Sequence, residues 1–477
     1  MTPTATTCPP PVIRPAFAER RTRFLTVLIG VTVSFHVLVF VAYYRWRVSV
    51  PTGILGSDLR AFYTSWRMVG DGRAAHLYDL GLQIRTQSAI MGRAMSTDSL
   101  LAFVNPPYVS LAFSWLGLLG PRAAYAVFSG MQLACLGIAC RIMLRGELST
   151  WSRRAQVVFL GSGVLSAATL SAITLGTFTP TILLAMVGLG GEYRRSFSRP
   201  VNSAAVESAV STSSTDATPN GLRTWRIAGW LCVLTIKPQL AVFVVVALVA
   251  ARQWKVLRRA AVLGAATATA TTLICGLRIW EHYVRFLAVY GRSNGKFGGD
   301  SHYMWNLRGA LTRLHGLSTA TADQLANMMF VATVIAFGLW VARASSGVLP
   351  GARPILFEQT AALASVLTVL FVPHCNRQDM LLLLPGIVAA YNLRRARGRE
   401  SVFTTRTPNR MADRLPSGGD WFVAVACILS AVALTWDNDP NGYALHPLTL
   451  LATLTGALVI RAIRRSPLNG GADQPVT

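Results

Sequence analysis

The chain has 477 residues, 52% hydrophobic and only 14% charged, with a mean hydropathy of +0.44. Soluble domains carry about 25% charged residues, so this composition excludes an ordinary water-soluble enzyme and indicates a chain solvated by lipid. The net charge of +25 does not signal nucleic acid either. Lys and Arg sit in short clusters between apolar runs (Arg20–Arg23, Arg153-Arg154, Arg194-Arg195, Arg252 to Arg259, Arg394 to Arg399, Arg461 to Arg465), as the positive-inside rule arranges them against anionic headgroups.

Residues 1–23 are Pro/Thr-rich and read as a disordered cytoplasmic N-terminus. The apolar run behind Arg20-Arg21 is too long for a signal peptide, so 24–45 reads as an uncleaved first span, closed by the girdle Tyr43-Tyr44-Arg45-Trp46-Arg47. Residues 46–100 are polar enough to form an outer loop, with a helical pattern in Asp58, Phe62, Trp66 and Val69 that Gly70-Asp71-Gly72 breaks. Asn105-Pro106-Pro107-Tyr108 opens a run of 109–119, too short to span and expected to be re-entrant or interfacial.

Further spans are expected at 122–143, 155–174, 177–191, 225–236, 238–251, 258–280, 322–342, 355–372, 378–393, 419–436 and 446–462. This makes an all-α polytopic membrane protein of about twelve spans, a single domain over 24–465 with a cytoplasmic tail at 466–477. With the N-terminus inside, the Arg-rich joints fall in the cytoplasm, including two flexible loops at 192–224 and 394–418. A second outer loop is expected at 281–321. Neither a Walker loop nor a dinucleotide fingerprint occurs, which argues against an ATP-driven pump. The seven cysteines form no CxxC pair and no zinc spacing.

On this topology one face collects the ionisable residues Asp58, Lys237, His374, Arg377 and Asp379. Such groups at membrane depth cost about 2.5–3.5 kcal/mol each, so they are paired or functional. Pro238 marks a broken helix after Lys237, a place suited to a polar ligand, while Asp379 also reads as the cap of the helix behind it. Lys237 and Arg377 can hold a phosphate, and Asp58 or His374 can take a proton from a hydroxyl.

The aspartate just after the first span, Gly72-x-x-x-His76-Leu77-Tyr78, Asn105-Pro106-Pro107-Tyr108, Lys237-Pro238 ahead of Arg252-Gln253-Trp254-Lys255, Asn306-Leu307-Arg308-Gly309, and Pro373-His374 followed by Asp379 occur in that order over 56–386. This series resembles the integral-membrane glycosyltransferases of the GT-C class, and within it glycosyltransferase family 87, the polyprenol-phosphomannose-dependent α-1,2-mannosyltransferases. The chain departs from the pattern at Gly176-Thr177, where Gly-Gln is expected.

The resemblance implies a GT-C-like fold and transfer with inversion of a hexose, most simply mannose, from a polyprenyl-phosphate donor. The acceptor is a glycan or glycolipid at the outer face of the plasma membrane. It implies Asp58 as the base, Lys237 and Arg377 on the phosphate, and His374 on the phosphate or the acceptor. Asn306, Asn105 and Tyr108 are expected to line the sugar pocket. No metal-binding Asp-x-Asp motif lies near Asp58, and Asp437-Asn438-Asp439 reads as a turn, so no cofactor is assigned and a divalent cation stays open. An arabinosyltransferase of the same class and a transporter or flippase of lipid-linked sugars are the competing readings. A transporter would show two similar halves, which this sequence lacks.

Overall fold

In the computed structural model the described residues are 58–197, 219–291, 297, 304–314, 317–346, 348 and 353–404, with scattered positions between 27 and 49 and residue 457. The expected N-terminal tail, most of the first span, the last two spans, the Asp437–Asp439 turn, the C-terminal tail and the middles of both cytoplasmic loops lie outside the described residues.

All regular structure among the described residues is helical. The helices are α1 (Asp58–Gly70), α2 (Leu80–Met91), α3 (Pro107–Phe113), α4 (Pro121–Arg145), α5 (Arg153–Val164), α6 (Ala167–Thr174), α7 (Thr179–Phe197) and α8 (Pro219–Leu234). They continue with α9 (Pro238–Ala250), α10 (Trp254–Cys275), α11 (Arg278–Gly291), α12 (Leu307–Thr312), α13 (Thr319–Ser345), α14 (Arg353–Phe371) and α15 (Leu383–Thr404). Short 3₁₀ turns at Ser114–Leu118 and Arg377–Leu382 extend α3 and lead into α15.

Among them α4, α13 and α14 are each long and apolar enough to cross a membrane, and α10 with α11 makes a fourth if the bent pair counts as one span. Helices α8 and α9, at 16 and 13 residues, rise only about 24 and 20 Å, short of a hydrocarbon core of about 30 Å. Large apolar side chains stand exposed on α4, α10 and α13 (Leu133, Leu273, Ile335), where only lipid rewards them. The chain is a polytopic helical membrane protein.

Four expected elements come out differently. The span at 155–174 is two helices, because the Ser166 hydroxyl accepts the Thr169 N–H at 3.2 Å and starts α6 afresh. The span at 258–280 ends at Cys275, where Gly276 takes φ 81°, and α11 departs at 101°. Trp280 Nε1 donates to Thr272 Oγ1 at 2.9 Å across that bend. The loop expected at 394–418 is helical through Thr404, and α7 runs to Phe197 into the loop expected from 192.

The fourth difference concerns α1. Its pattern puts Asp58, Phe62, Trp66 and Val69 on one face, yet every residue from Leu59 to Trp66 is buried. The 3₁₀ turn after α3 lies directly on its backbone: a Cβ at Gly117 would sit 2.6 Å from the Trp66 carbonyl carbon. Tyr63 Oη reinforces the contact by donating to Leu119 O at 2.7 Å.

Two large apolar cores result, with a small third one between α12 and α13. The larger joins α4, α7, α8, α9, α13, α14 and α15, and the smaller joins α1, α2 and α3 to the start of α4 and to α11. Phe178, just before α7, ties the smaller core to the body, with Phe62 and Phe128 edge-on to its ring, each at 5.0 Å. Such pairs add about 0.5–1.5 kcal/mol each beyond the area they bury. They set the register that places the start of α1 against the start of α7.

Candidate functional site

Asp58 opens α1, one turn ahead of Phe62, so the aromatic contacts fix where its carboxylate stands. The backbone fixes it further. The Leu59 N–H donates to Leu175 O at 3.0 Å, in the turn between α6 and α7. Gly176 makes that approach feasible, since its φ is +67° and a Cβ there would lie 2.9 Å from Leu59 Cβ.

The break between α8 and α9 supplies Lys237 at the N-cap of a helix that begins with Pro238. Two sequence-predicted residues hold this break open. Asn105 Nδ2 donates to Ile236 O at 2.8 Å, and Tyr108 Oη donates to Thr235 O at 2.6 Å. Tyr78 Oη in turn donates to Asn105 O at 2.7 Å.

The third contributor is the loop between α14 and α15, carrying His374, Arg377, Gln378 and Asp379. Asn306 pins it: its side chain caps α12 by accepting the Gly309 N–H, and its Nδ2 donates to Val372 O at 2.6 Å. The Trp305 N–H donates to Cys375 O at 3.0 Å, and Arg308 Nη1 to Pro373 O at 3.1 Å. Asn105, Tyr108 and Asn306, expected on the sugar, therefore spend these polar atoms on backbone carbonyls that shape the site.

These segments bring Asp58, Lys237 and His374 into one cluster with Asp379, while Arg377 lies against Trp305. Lys237 Nζ reaches Asp379 Oδ1 at 2.9 Å, and Thr179 Oγ1 donates to the same oxygen at 2.7 Å. Asp379 Oδ2 accepts the Asn376 N–H at 3.2 Å, closing the cap read from the sequence. Asp379 is thus a buried carboxylate given an ammonium, a hydroxyl and an amide, the set that keeps a buried charge in place. Lys237 has three donors and shows no other partner among the described residues. The Arg377 guanidinium lies 5.7 Å over the Trp305 ring.

The next residue along joins Asp58 to this cluster: Gln378 Nε2 donates to Asp58 Oδ2 at 3.2 Å from a buried position. Nothing in its spacing singled out Gln378, because an amide on an apolar helix start reads as a cap. The missing Gln after Gly176 is answered by hydroxyls, since Thr177 Oγ1 lies 3.3 Å from Thr179 Oγ1, the donor to Asp379.

His374 stands outside the helices with its Nε2 3.3 Å from Asn376 Nδ2. The Asn376 amide nitrogen can only donate, so His374 Nε2 is the acceptor. The proton of the neutral ring then sits on Nδ1, which is buried with no partner among the described residues. Burial first, and then the Lys237 charge, push His374 down to about 4, so the ring is neutral at ordinary pH.

Helices α1, α7 and α9 and the 3₁₀ turn all present their N-termini to this cluster, and helix N-termini favour anions. With Lys237 and Arg377, the chemistry suits an anionic leaving group beside a carboxylate. Among the described residues no three His, Cys, Asp or Glu side chains gather as a metal site. A family model described as glycosyltransferase family 87 matches residues 103–373, more than half of the chain. The curated proteins and the solved structures give no match.

Proposed function

The chain belongs to glycosyltransferase family 87, and from that membership of a family of membrane glycosyltransferases we propose that it moves a mannosyl residue from a polyprenyl-phosphate donor to a glycan or glycolipid. The transfer takes place at the outer face of the plasma membrane, on a GT-C-like body of about twelve spans, and inverts the anomeric centre.

Asp58 takes the proton of the acceptor hydroxyl as its oxygen forms a bond to the anomeric carbon. The bond from that carbon to the phosphate oxygen breaks, and its electron pair leaves on the polyprenyl phosphate. A phosphate monoester leaves without a strong general acid, so the demand falls on cations that meet the developing charge. Lys237 has donors left for this beyond the one given to Asp379, and Arg377 adds a second cation. His374 contributes the N–H on Nδ1 to a phosphate oxygen or to the acceptor. Gln378 keeps Asp58 turned toward the cluster.

The observation that carries this reading is the link from Asp58 through Gln378 to the Lys237–Asp379 pair, four residues from three distant parts of the chain. Its test uses purified protein in lipid nanodiscs, radiolabelled polyprenyl-phosphate mannose and a panel of mannosylated lipid acceptors. Label moving to an acceptor supports the reading, and a panel of other polyprenyl-phosphate sugars reports the donor. Transfer from an arabinosyl donor with none from the mannosyl donor would overturn the sugar assignment.

A further inference from the structure

The far ends of α8 and α9 lie about 24 and 20 Å along their axes from Lys237, at the opposite end of the body. There the first turns of α8 and α10 meet. Arg259 of α10 donates through Nη1 to Gly221 O and stacks its guanidinium 5.3 Å from the Trp225 ring of α8. Glu192, at the end of α7, reaches Arg195 at 2.8 Å and Arg226 at 3.9 Å. Glu147 and Glu358 are committed to Arg194. This leaves Arg223, Arg252, Lys255 and Arg258 with no acidic partner among the described residues.

Three local choices here run against what the backbone prefers. Lys255 and Arg258 stand near the N-terminus of a 22-residue helix with no acid in its first turn, where the helix dipole repels cations. Arg223 does the same in α8, which also has no acid in its first turn. Arg252 closes α9 in a Schellman turn, with Gln253 N–H on Leu248 O and Arg252 N–H on Val249 O, both at 2.9 Å, at a φ of 53°. Glycine takes that left-handed position without strain, and arginine does not. Sequences break local preferences together where something outside the chain compensates.

The same surface exposes Leu222, Trp225 and Trp254. Cations interleaved with exposed indoles suit the level of a membrane where headgroup phosphates meet acyl chains, rather than open water. We propose that Arg223, Arg252, Lys255 and Arg258, with Trp225 and Trp254, form a binding site for the phosphate headgroup of an anionic phospholipid. The site is independent of the transfer chemistry, and glycosyl transfer does not enter its test.

The test takes the full chain in detergent and follows bound lipid by native mass spectrometry. Dioleoyl-phosphatidylglycerol is titrated against dioleoyl-phosphatidylcholine of the same acyl chains. The glycerol lipid should be retained in preference. Arg252→Gly should weaken its retention about fivefold, and the Lys255→Gln/Arg258→Gln pair about 25-fold, the effect of one and two headgroup-level charges. Arg252→Gly should also unfold at no lower temperature than the parent, because it relieves the left-handed strain; a purely structural Arg252 would lower it. Equal retention of the two lipids, or parental retention in Arg252→Gly, would overturn the proposal. So would a single-stranded oligonucleotide that binds as tightly as phosphatidylglycerol, which would assign the patch to a soluble polyanion.

Discussion

At one end of the body Lys237 meets Asp379 at 2.9 Å at the start of α9, and at the other Arg194, in the last turn of α7, grips Glu147 and Glu358. Helix α7 carries both, with Thr179 on Asp379 at its start and Arg194 about 22 Å away along its axis. In the Arg194 cluster the guanidinium holds both oxygens of Glu358 on α14 and one of Glu147 in the turn after α4, and Glu147 Oε2 is buried with no partner among the described residues. Asn392 of α15 joins by donating to Glu147 O at 3.1 Å. It fastens α7, α14 and α15 to the turn after α4.

The Lys237 cluster is assembled on helix starts and a loop, and it keeps donors in hand, on Lys237 and on His374 Nδ1. Two buried charge clusters of similar composition thus differ in how far the cation is spent on its acids. A cation shared by two carboxylates fastens, and one that gives a single bond at a helix break keeps capacity for a ligand.

Substitutions at each end should separate the two. Asp58→Asn should slow transfer about 10²- to 10⁴-fold, the contribution of a general base, and leave the unfolding temperature in place. Arg194→Leu should do the reverse, lowering stability by about 3–5 kcal/mol because two buried carboxylates lose their cation, with the donor affinity of the folded fraction unchanged. Lys237→Met sits between them, losing both donor affinity and stability. Adding Asp379→Leu should restore part of the stability and none of the affinity, as read by thermal unfolding beside donor titration. Gly176→Ala should cost about 1–3 kcal/mol from its φ of +67° and the Leu59 contact, and should slow transfer by moving the start of α1.

The smallest effect is in pH. His374 sits at about 4 folded against about 6.5 unfolded, so it makes stability rise with pH across that window, where only the unfolded chain holds the proton. Glu147 runs the other way. Burial lifts it to about 7 against the pull of Arg194, so between about 4.5 and 7 the folded chain holds the extra proton and stability falls as pH rises. The two slopes oppose each other over about 4.5–6.5. Glu147→Gln should expose the rising slope and His374→Gln the falling one, in unfolding temperatures measured from pH 4.5 to 7.

Much of the Lys237 cluster is legible in the sequence. Charged groups are so scarce in this chain that Lys237 before a proline and His374 to Asp379 between apolar runs stood out, and the structure gathers them. Gln378 did not stand out, because an amide carries no charge and its partner Asp58 is 320 residues away. Asn105, Tyr108 and Asn306 were seen for their polarity, but polarity does not tell a ligand contact from a carbonyl contact, and they take Ile236 O, Thr235 O and Val372 O. Helix number was harder to read than helix type. Apolar runs such as 155–174 and 258–280 look continuous in composition, and a single serine hydroxyl or a left-handed glycine divides them.

The central claim is that the charges around Lys237 at the helix break perform the chemistry while those around Arg194 hold the fold. Its most direct measurement is single-turnover transfer from polyprenyl-phosphate mannose, with thermal unfolding and donor binding on the same preparations of the parent, Asp58→Asn and Arg194→Leu. The account predicts that Asp58→Asn binds donor, keeps its unfolding temperature and transfers about 10²- to 10⁴-fold more slowly, while Arg194→Leu unfolds early yet transfers at the parental rate per folded molecule. Turnover retained in Asp58→Asn, or lost in folded Arg194→Leu, would contradict it.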